Sequence, residues 1–380
     1  MALRIAIFSA QYPPHMGGIE NFTQNLARAL GNRGHAVTVV TNDTNSIGAG
    51  WACEDGFDVL RLPCVPLVDG RLPLPKPSAV RRELLKELSA REFDGVLVNA
   101  RFYPHSLLGM KIARARDLAP LVLDHGSAYL SFSNPLLDPC VRIYEHVMTA
   151  LGKRYKPRYF GISHKSVEWL RTFGIEAEGV ISNSIDAAEF RECASSRDFR
   201  AELELDKDDF LVAFVGRLIP EKGISSIIEA SRNCELISRR AVFALAGDGP
   251  LADEVKAAEG PNLRWVGRLG KNDVSALLQQ SDALCLPSRS EGFSTTLLEV
   301  GACGCPAVVT DIGGARELIP DEHYGTIIQS REAAAVISAL AFVVDNRSVL
   351  LEQSQNCRRQ VDGEFSWDKS ALQVEEYLTK

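Results

Sequence analysis

No apolar run in this 380-residue chain approaches the ~18 residues that a membrane-spanning helix needs. The opening stretch "MALRIAIFSAQYPP" is too short for a signal-peptide core and has no small-residue cleavage site. It reads instead as a first buried strand. Metal spacing is missing too. The nine cysteines are scattered, and the one close pair, Cys303 and Cys305, has no second pair to complete a zinc site. An odd, dispersed set fits reduced thiols in the cytosol, most of them small core residues. No basic stripe with aromatics between occurs, and 49 acidic residues outnumber 42 basic ones, which excludes a nucleic-acid-binding surface. Neither common phosphate signature is present. Gly17-Gly18 has no following Lys-Ser/Thr, and G-x-G-x-x-G is absent.

With 46% apolar and 24% charged residues, the composition is that of a globular protein, long enough for two domains. Charge divides unevenly. Residues 1–186 hold 21 Lys and Arg against 18 Asp and Glu, whereas the remainder hold 21 against 31. Different partners for the two halves follow.

Short β-branched runs alternate with amphipathic stretches in two blocks. The first block has strand candidates at 4–10, 36–41, 95–100, 120–126, 158–163 and 179–184; the second at 210–216, 241–247, 263–268, 283–288, 306–311 and 325–330. Their near-continuous apolar character fits strands buried on both faces of a parallel sheet. Between the first two, Ile19, Phe22, Leu26, Ala29 and Leu30 trace one face of a helix that Gly31 or Gly34 can stop. The pattern predicts an α/β protein of two doubly wound domains, divided where 184–206 turns polar, with an all-helical tail from about 331. Such sheets bind ligands beyond the carboxyl ends of their strands, and two of them facing each other would enclose a cleft.

Every chemically loaded loop follows a strand candidate. In "YPPHMGGIE" (12–20), Gly17 and Gly18 open a helix whose start favours an anion; an ordinary glycine turn is the plain alternative. "LDHGS" (123–127) places Asp124 and His125 at a strand end, where a lone histidine is either structural or a ligand contact. "VGRLIPEKG" (215–223) sets Arg217 and Lys222 on one turn, able to converge on a diphosphate or to remain solvated cations. "AGDGP" (246–250), with Gly247, and "DIGGARE" (311–317) are further strand-to-turn junctions suited to the floor and rim of one site. Asp206 and Asp208 mimic a metal-binding pair but precede a strand, at the wrong edge of the sheet.

The densest stretch is "PSRSEGFSTTLLEVGACGCP" (287–306), with Glu291 and Glu299 seven residues apart. Glu291, Gly292 and Phe293 lead into a helix capped by Ser294 or Thr295, with Glu299 inside it. Eight helical residues span ~12 Å. A hydrolytic pair sits roughly 5–9.5 Å apart across one bond. The glutamates are therefore suited to two ends of an elongated ligand. Glu299 can accept from ribose hydroxyls and Glu291 from a sugar, while amides of 292–295 meet phosphate or sugar oxygens. The ligand implied is a nucleotide-sugar.

Together these stretches resemble a retaining GT-B glycosyltransferase of family four, whose signature is Glu-x7-Glu following G-R-x-x-x-x-K-G. Here these are Glu291/Glu299 and Gly216-Arg217…Lys222-Gly223. The similarity takes in "PPHMGG" (13–18), His125, "AGDGP", "VGRL" and "FSWDKS" (365–370), and covers essentially the whole chain. It departs at "SNSID" (182–186), where Ser182 and Ser184 replace the family's Pro and Gly, and at Thr295 and Thr296, where small or aliphatic residues are common.

The resemblance implies a GT-B fold. Residues 1–186 would form a Rossmann-like acceptor domain, 187–364 a nucleotide-sugar domain, and 365–380 a helix returning to the first. It implies retaining, metal-independent sugar transfer with no cofactor, from a donor that in this family is most often a UDP-sugar, to a hydroxyl of a glycan or lipid-linked acceptor in polysaccharide biosynthesis. Arg217 and Lys222 would stabilise the leaving diphosphate, Glu291 and His125 would contact the sugar, and Glu299 the ribose. Gly216, Gly247, Gly292, Phe293, Ser294 and Thr295 would complete the donor site. Gly17, Gly18 and the loops around 101–105 and 126–134 would meet the acceptor. An inert nucleotide-sugar binder and a sugar-phosphate synthase are the alternatives. The amphipathic, basic segment 141–160 reads either as a core-packed helix or as a peripheral contact at the inner face of a membrane.

Overall fold

Parallel strands cannot be joined by tight turns, so each buried apolar run must be followed by a crossover, here mostly helical. The computed structural model describes residues 2–379 except 16, 69 and 131–136. The chain divides into two compact units, Met1–Asn183 with Trp367–Lys380, and Ser184–Ser366.

The first unit contains β1 (Arg4–Phe8), β2 (Ala36–Asn42), β3 (Gly50–Glu54), β4 (Phe57–Leu62), β5 (Cys64–Leu67), β6 (Leu72–Pro75), β7 (Gly95–Asn99), β8 (Leu121–Asp124), β9 (Arg158–Gly161) and β10 (Gly179–Val180). Eight of them form one sheet in the order β10-β9-β8-β7-β1-β2-β4-β3, parallel except for the β3–β4 pair; β5 and β6 form a separate hairpin. The second unit contains β11 (Phe210–Val215), β12 (Ala241–Ala246), β13 (Leu263–Gly267), β14 (Ala283–Leu286), β15 (Ala307–Thr310) and β16 (Thr326–Ile328), in the order β13-β12-β11-β14-β15-β16, all parallel. Both are doubly wound, as the apolar runs predicted. Ile5–Phe8, Val96–Val98, Leu211–Phe214 and Ala283–Leu286 are all at most 2% exposed, as strands covered on both faces must be.

Three expectations needed correction. The hairpin β3–β4 went unread although Asp55-Gly56, both at positive φ, is the turn pair that a two-residue hairpin loop favours. The run 179–184 yields only Gly179–Val180, because beyond Asn183 the backbone turns to Phe365, whose carbonyl accepts the Ile185 N–H at 2.9 Å. The cysteines are all free, yet only Cys285, Cys305 and Cys357 are buried, while Cys53, Cys140 and Cys234 are exposed. Cys53, for example, lies on β3, the outermost strand, where one face has nothing to pack against.

The tail is helical, as expected: Ala333–Asp345, Arg347–Glu364 and Trp367–Thr379. The last helix packs within the first unit. Glu375 accepts from Arg33 Nε and from His35 Nε2, Asp368 pairs with Arg33, and the Tyr377 ring lies 4.3 Å from Phe160. The Arg33 hydrogen bonds, then His35, hold the Glu375 carboxyl down to about 2. Among the described residues no single helix is long and apolar enough to cross a membrane.

Candidate active site

In the second unit the chain winds from β11 through β12 to β13, then returns to β14 on the other side of β11. Beyond the carboxyl ends at such a reversal an open α/β sheet leaves a crevice. The two loops leaving there are 216–223 and 287–294, and they are fastened together. Arg289 N–H donates to the Glu221 carbonyl at 2.6 Å, and a Cβ on Gly223 (φ 73°) would fall 2.4 Å from the Pro287 carbonyl oxygen. Across this junction the Lys222 ammonium donates to Glu291 Oε1, both side chains only 16% exposed. Arg217 is exposed and has no side-chain partner among the described residues, so its guanidinium is available to a ligand.

Neighbouring loops back this pair. Gly216 N–H bonds the Ala246 carbonyl at 3.0 Å, and Gly247, at φ 151°, lies so close that an added Cβ would sit 1.8 Å from the Gly216 oxygen. Behind Glu291, Gly313 and Gly314 admit no side chain. A Cβ would come within 2.8 Å of the Glu291 and Gly292 carbonyls at the first, and 2.4 Å of the Phe293 ring at the second. "AGDGP" and "DIGGARE" therefore do shape the surroundings of the two loaded loops.

The Glu291–Glu299 interval is only half helical. Ser294 is the N-cap, without a side-chain hydrogen bond, and the helix runs Thr295–Cys303 to Gly304 in the left-handed conformation. The 12 Å estimated for eight helical residues is thereby replaced by ~6 Å of helix from Thr295 to Glu299 plus a loop. Glu299 has no hydrogen-bond partner among the described residues, and desolvation raises its carboxyl to about 7, against a small opposing pull from Lys271. Asp206 is paired with Arg240 just ahead of β11 and β12, at the amino edge, as the sequence indicated.

In the first unit the winding reverses between β1 and β7. His125 directly follows β8; its Nε2–H donates to Asn99 Oδ1 at 3.0 Å, and Asn99 Nδ2 donates to Thr23 Oγ1 at 2.8 Å. This order leaves Nδ1 of a neutral imidazole as an acceptor, and burial holds the ring down to about 3. Phe22 packs edge-on against His125 at 5.0 Å and against Trp367 at 5.6 Å. Asp124, by contrast, is committed. Both its oxygens accept from Arg101 at 2.7 Å, and Arg101 also pairs with Glu145, whose other oxygen accepts the Leu130 N–H. Burial raises both carboxyls.

Gly17 has a reason other than an incoming anion. A Cβ there would lie 2.4 Å from Glu20 Oε2, and Glu20 accepts from His15 Nδ1 at 2.7 Å. The start of helix Gly18–Asn32 already holds a carboxylate, so an external phosphate would meet a like charge. Gly18 meets nothing within 4 Å. Of the 126–134 loop, residues 131–134 lie outside the described residues. His15 and Glu20 lie within the 12–20 stretch and Arg101 at the start of the 101–105 loop, but the sequence assigned none of them a role, and Asn99 and Glu145 were not singled out. The signal for Asn99 was a polar residue ending an apolar strand; for Glu20, an acid in a helix's first turn.

Known proteins resemble this chain over both units. A model described as "Glycosyl transferases group 1" matches residues 195–361, and one described as "Glycosyltransferase Family 4" matches 16–189. An Escherichia coli UDP-Gal:alpha-D-GlcNAc-diphosphoundecaprenol alpha-1,3-galactosyltransferase is 30% identical over 49% of this chain and 50% of its own length. A Mycobacterium tuberculosis GDP-mannose-dependent alpha-(1-6)-phosphatidylinositol monomannoside mannosyltransferase is 23% identical over 99% of this chain and 98% of its own. Among solved structures, Anabaena Alr3699/HepE in complex with UDP superposes with a TM-score of 0.72 at 18% identity, covering 100% of both chains. With two family models spanning its two units and a doubly wound sheet in each, the chain belongs to the group 1 glycosyltransferases of GT-B fold, which move a sugar from a nucleotide-sugar.

Proposed function

We propose that this chain transfers a sugar from a UDP-sugar, with retention and without a metal, to a hydroxyl of a lipid-linked saccharide at the inner face of a membrane. The observation that carries the donor side is the Lys222–Glu291 pair at the β11/β14 reversal, with Arg217 on the same loop. The hard step is departure of the diphosphate. In this reading Lys222 turns from Glu291 to the phosphates as the donor enters, Arg217 takes two oxygens, and sugar hydroxyls replace Lys222 on Glu291. Together the cations offset the charge that grows on the leaving group. Glu299 accepts from the ribose, and the Nδ1 lone pair of His125 accepts from the sugar. A leaving-group oxygen takes the acceptor proton on the same face, which needs no side-chain base.

The donor and acceptor readings lean on the relatives. The E. coli protein is named for a UDP-sugar and a diphosphoundecaprenol acceptor, and the M. tuberculosis protein for a phosphatidylinositol mannoside, though with GDP-mannose. A thermal-shift panel of UDP-, GDP- and ADP-sugars tests the donor. At about 100 times its dissociation constant the right one adds roughly 2.7 kcal/mol. Product analysis by NMR then reads the anomeric configuration, with and without a chelator. Inversion, or a phosphorylated disaccharide as product, would overturn this reading, and an inert binder would release no nucleotide.

A further inference from the structure

The helix Leu137–Lys153 has two apolar faces. One is packed: Met148 is buried with Ala10, Ala100, Phe102 and Tyr103, and Tyr144 and Leu151 lean on that cluster. On the opposite side Cys140, Ile143, Val147 and Ala150 recur at three- and four-residue spacing and are all exposed, Ile143 by 65% and Val147 by 51%. A helix lying against solvent places charges there. The hairpin β5–β6 repeats the anomaly. Leu72 packs on the same small cluster, while Val65, Leu67 and Val68 are 44%, 40% and 45% exposed. Single exposed apolar residues need no explanation, but two elements rooted in one cluster and both turning aliphatic side chains outward do.

The charges around them name the occupant. Arg142 on the helix, Arg154 and Lys156 just past its end, Arg71 in the hairpin turn and Lys76 just after β6 are exposed and have no ion pair among the described residues. The acids on these segments are Asp138, Glu145, which is buried against Arg101, and Asp69, which lies outside the described residues. Aliphatic side chains flanked by cations match the boundary of an anionic bilayer, acyl chains below and phosphates above. We propose that this face seats the first unit on an anionic lipid surface, with Ile143 and Val147 entering the interface and Arg142, Arg154 and Lys156 at the phosphates. Ala10 and Ala100 of the shared cluster lie in the loops that leave β1 and β7. A lipid-linked acceptor would therefore arrive beside the acceptor loops, which is where this inference rests on the proposed function.

The full chain is to be sedimented with phosphatidylcholine vesicles containing either no phosphatidylglycerol or about 30% of it, at low and high salt. Binding is expected only with the anionic lipid and should weaken with salt. Ile143→Asp/Val147→Asp and, separately, Arg154→Glu/Lys156→Glu should each lower it at least ~10-fold. Their thermal melts, and nucleotide release from a donor without vesicles, should match the parent. Equal sedimentation of parent and variants would overturn the proposal. So would a dimer by light scattering that the aspartate variants dissociate, since a second copy would then cover the face. Vesicle binding by a protein that releases no nucleotide from any donor would instead count against the transferase reading while leaving this surface intact.

Discussion

Lys222 and Glu291 are 69 residues apart in sequence and form an ion pair, because β11 and β14 are adjacent strands whose loops leave the sheet side by side. The pair sits where a doubly wound sheet opens its crevice, and a ligand reaching either side chain would have to compete with the other.

Lys222→Ala is expected to lower turnover about 10²–10³-fold while the protein stays folded, as for loss of one charge-stabilising donor. Nucleotide release and the thermal melt are read together. Normal release would contradict the diphosphate assignment.

If Glu299 accepts from the ribose as proposed, donor binding acquires a pH dependence. With its carboxyl at about 7 and ribose hydroxyls as donors, the ionised form binds better. Donor affinity should fall about tenfold per pH unit below about pH 7, and Glu299→Gln should flatten that slope in titration calorimetry. The same raised value contributes stability below about 4.5 that is lost as pH rises through about 7, so Glu299→Gln should gain in relative melting temperature on the alkaline side.

His125 should stay silent between about pH 5 and 8 in an NMR titration of its imidazole, because burial holds it at about 3. Asn99→Ala removes the acceptor that fixes its tautomer. Turnover should fall while nucleotide affinity is kept, and a change in nucleotide affinity alone would refute the role.

Gly247→Ala combines a φ of 151° with a 1.8 Å overlap on the Gly216 oxygen. Urea unfolding should show a loss of at least about 2 kcal/mol, together with weakened donor binding.

Glu375 ties the last helix to the first unit and is held at about 2 by Arg33 and His35. Its contribution is present above about 4.5 and lost as pH falls toward about 2. Glu375→Gln should therefore melt several degrees lower near neutrality and converge on the parent in acid.

Apolar runs such as Phe210–Val215 were legible as strands because burial on both faces leaves no polar alternation to confuse the period. β3, on the sheet edge, and β5 and β6, in a hairpin apart from it, were not, since their half-exposed sequences look like loops, and β4 was not either, since Asp58 and Arg61 interrupt its buried apolar run. Local spacing singled out Glu291, Glu299, Arg217 and Lys222, and of these the fold pairs Lys222 with Glu291. The His15–Glu20 pair lies within a glycine-rich stretch, but only a folded helix start brings its carboxylate under Gly17.

Local order therefore determined the kind of protein. Strand-helix alternation demands parallel sheets, and loops after strands must carry the chemistry, since both follow from where a short chain segment can bury itself. Partnership was decided by tertiary structure. That Arg101 rather than a ligand claims Asp124, that Asn99 sets the tautomer of His125, and that Glu291 already holds Lys222 all depend on strand order. Strand order is a property of long-range packing, in which residues far apart in the chain compete for the same buried neighbours, and no local spacing encodes the winner.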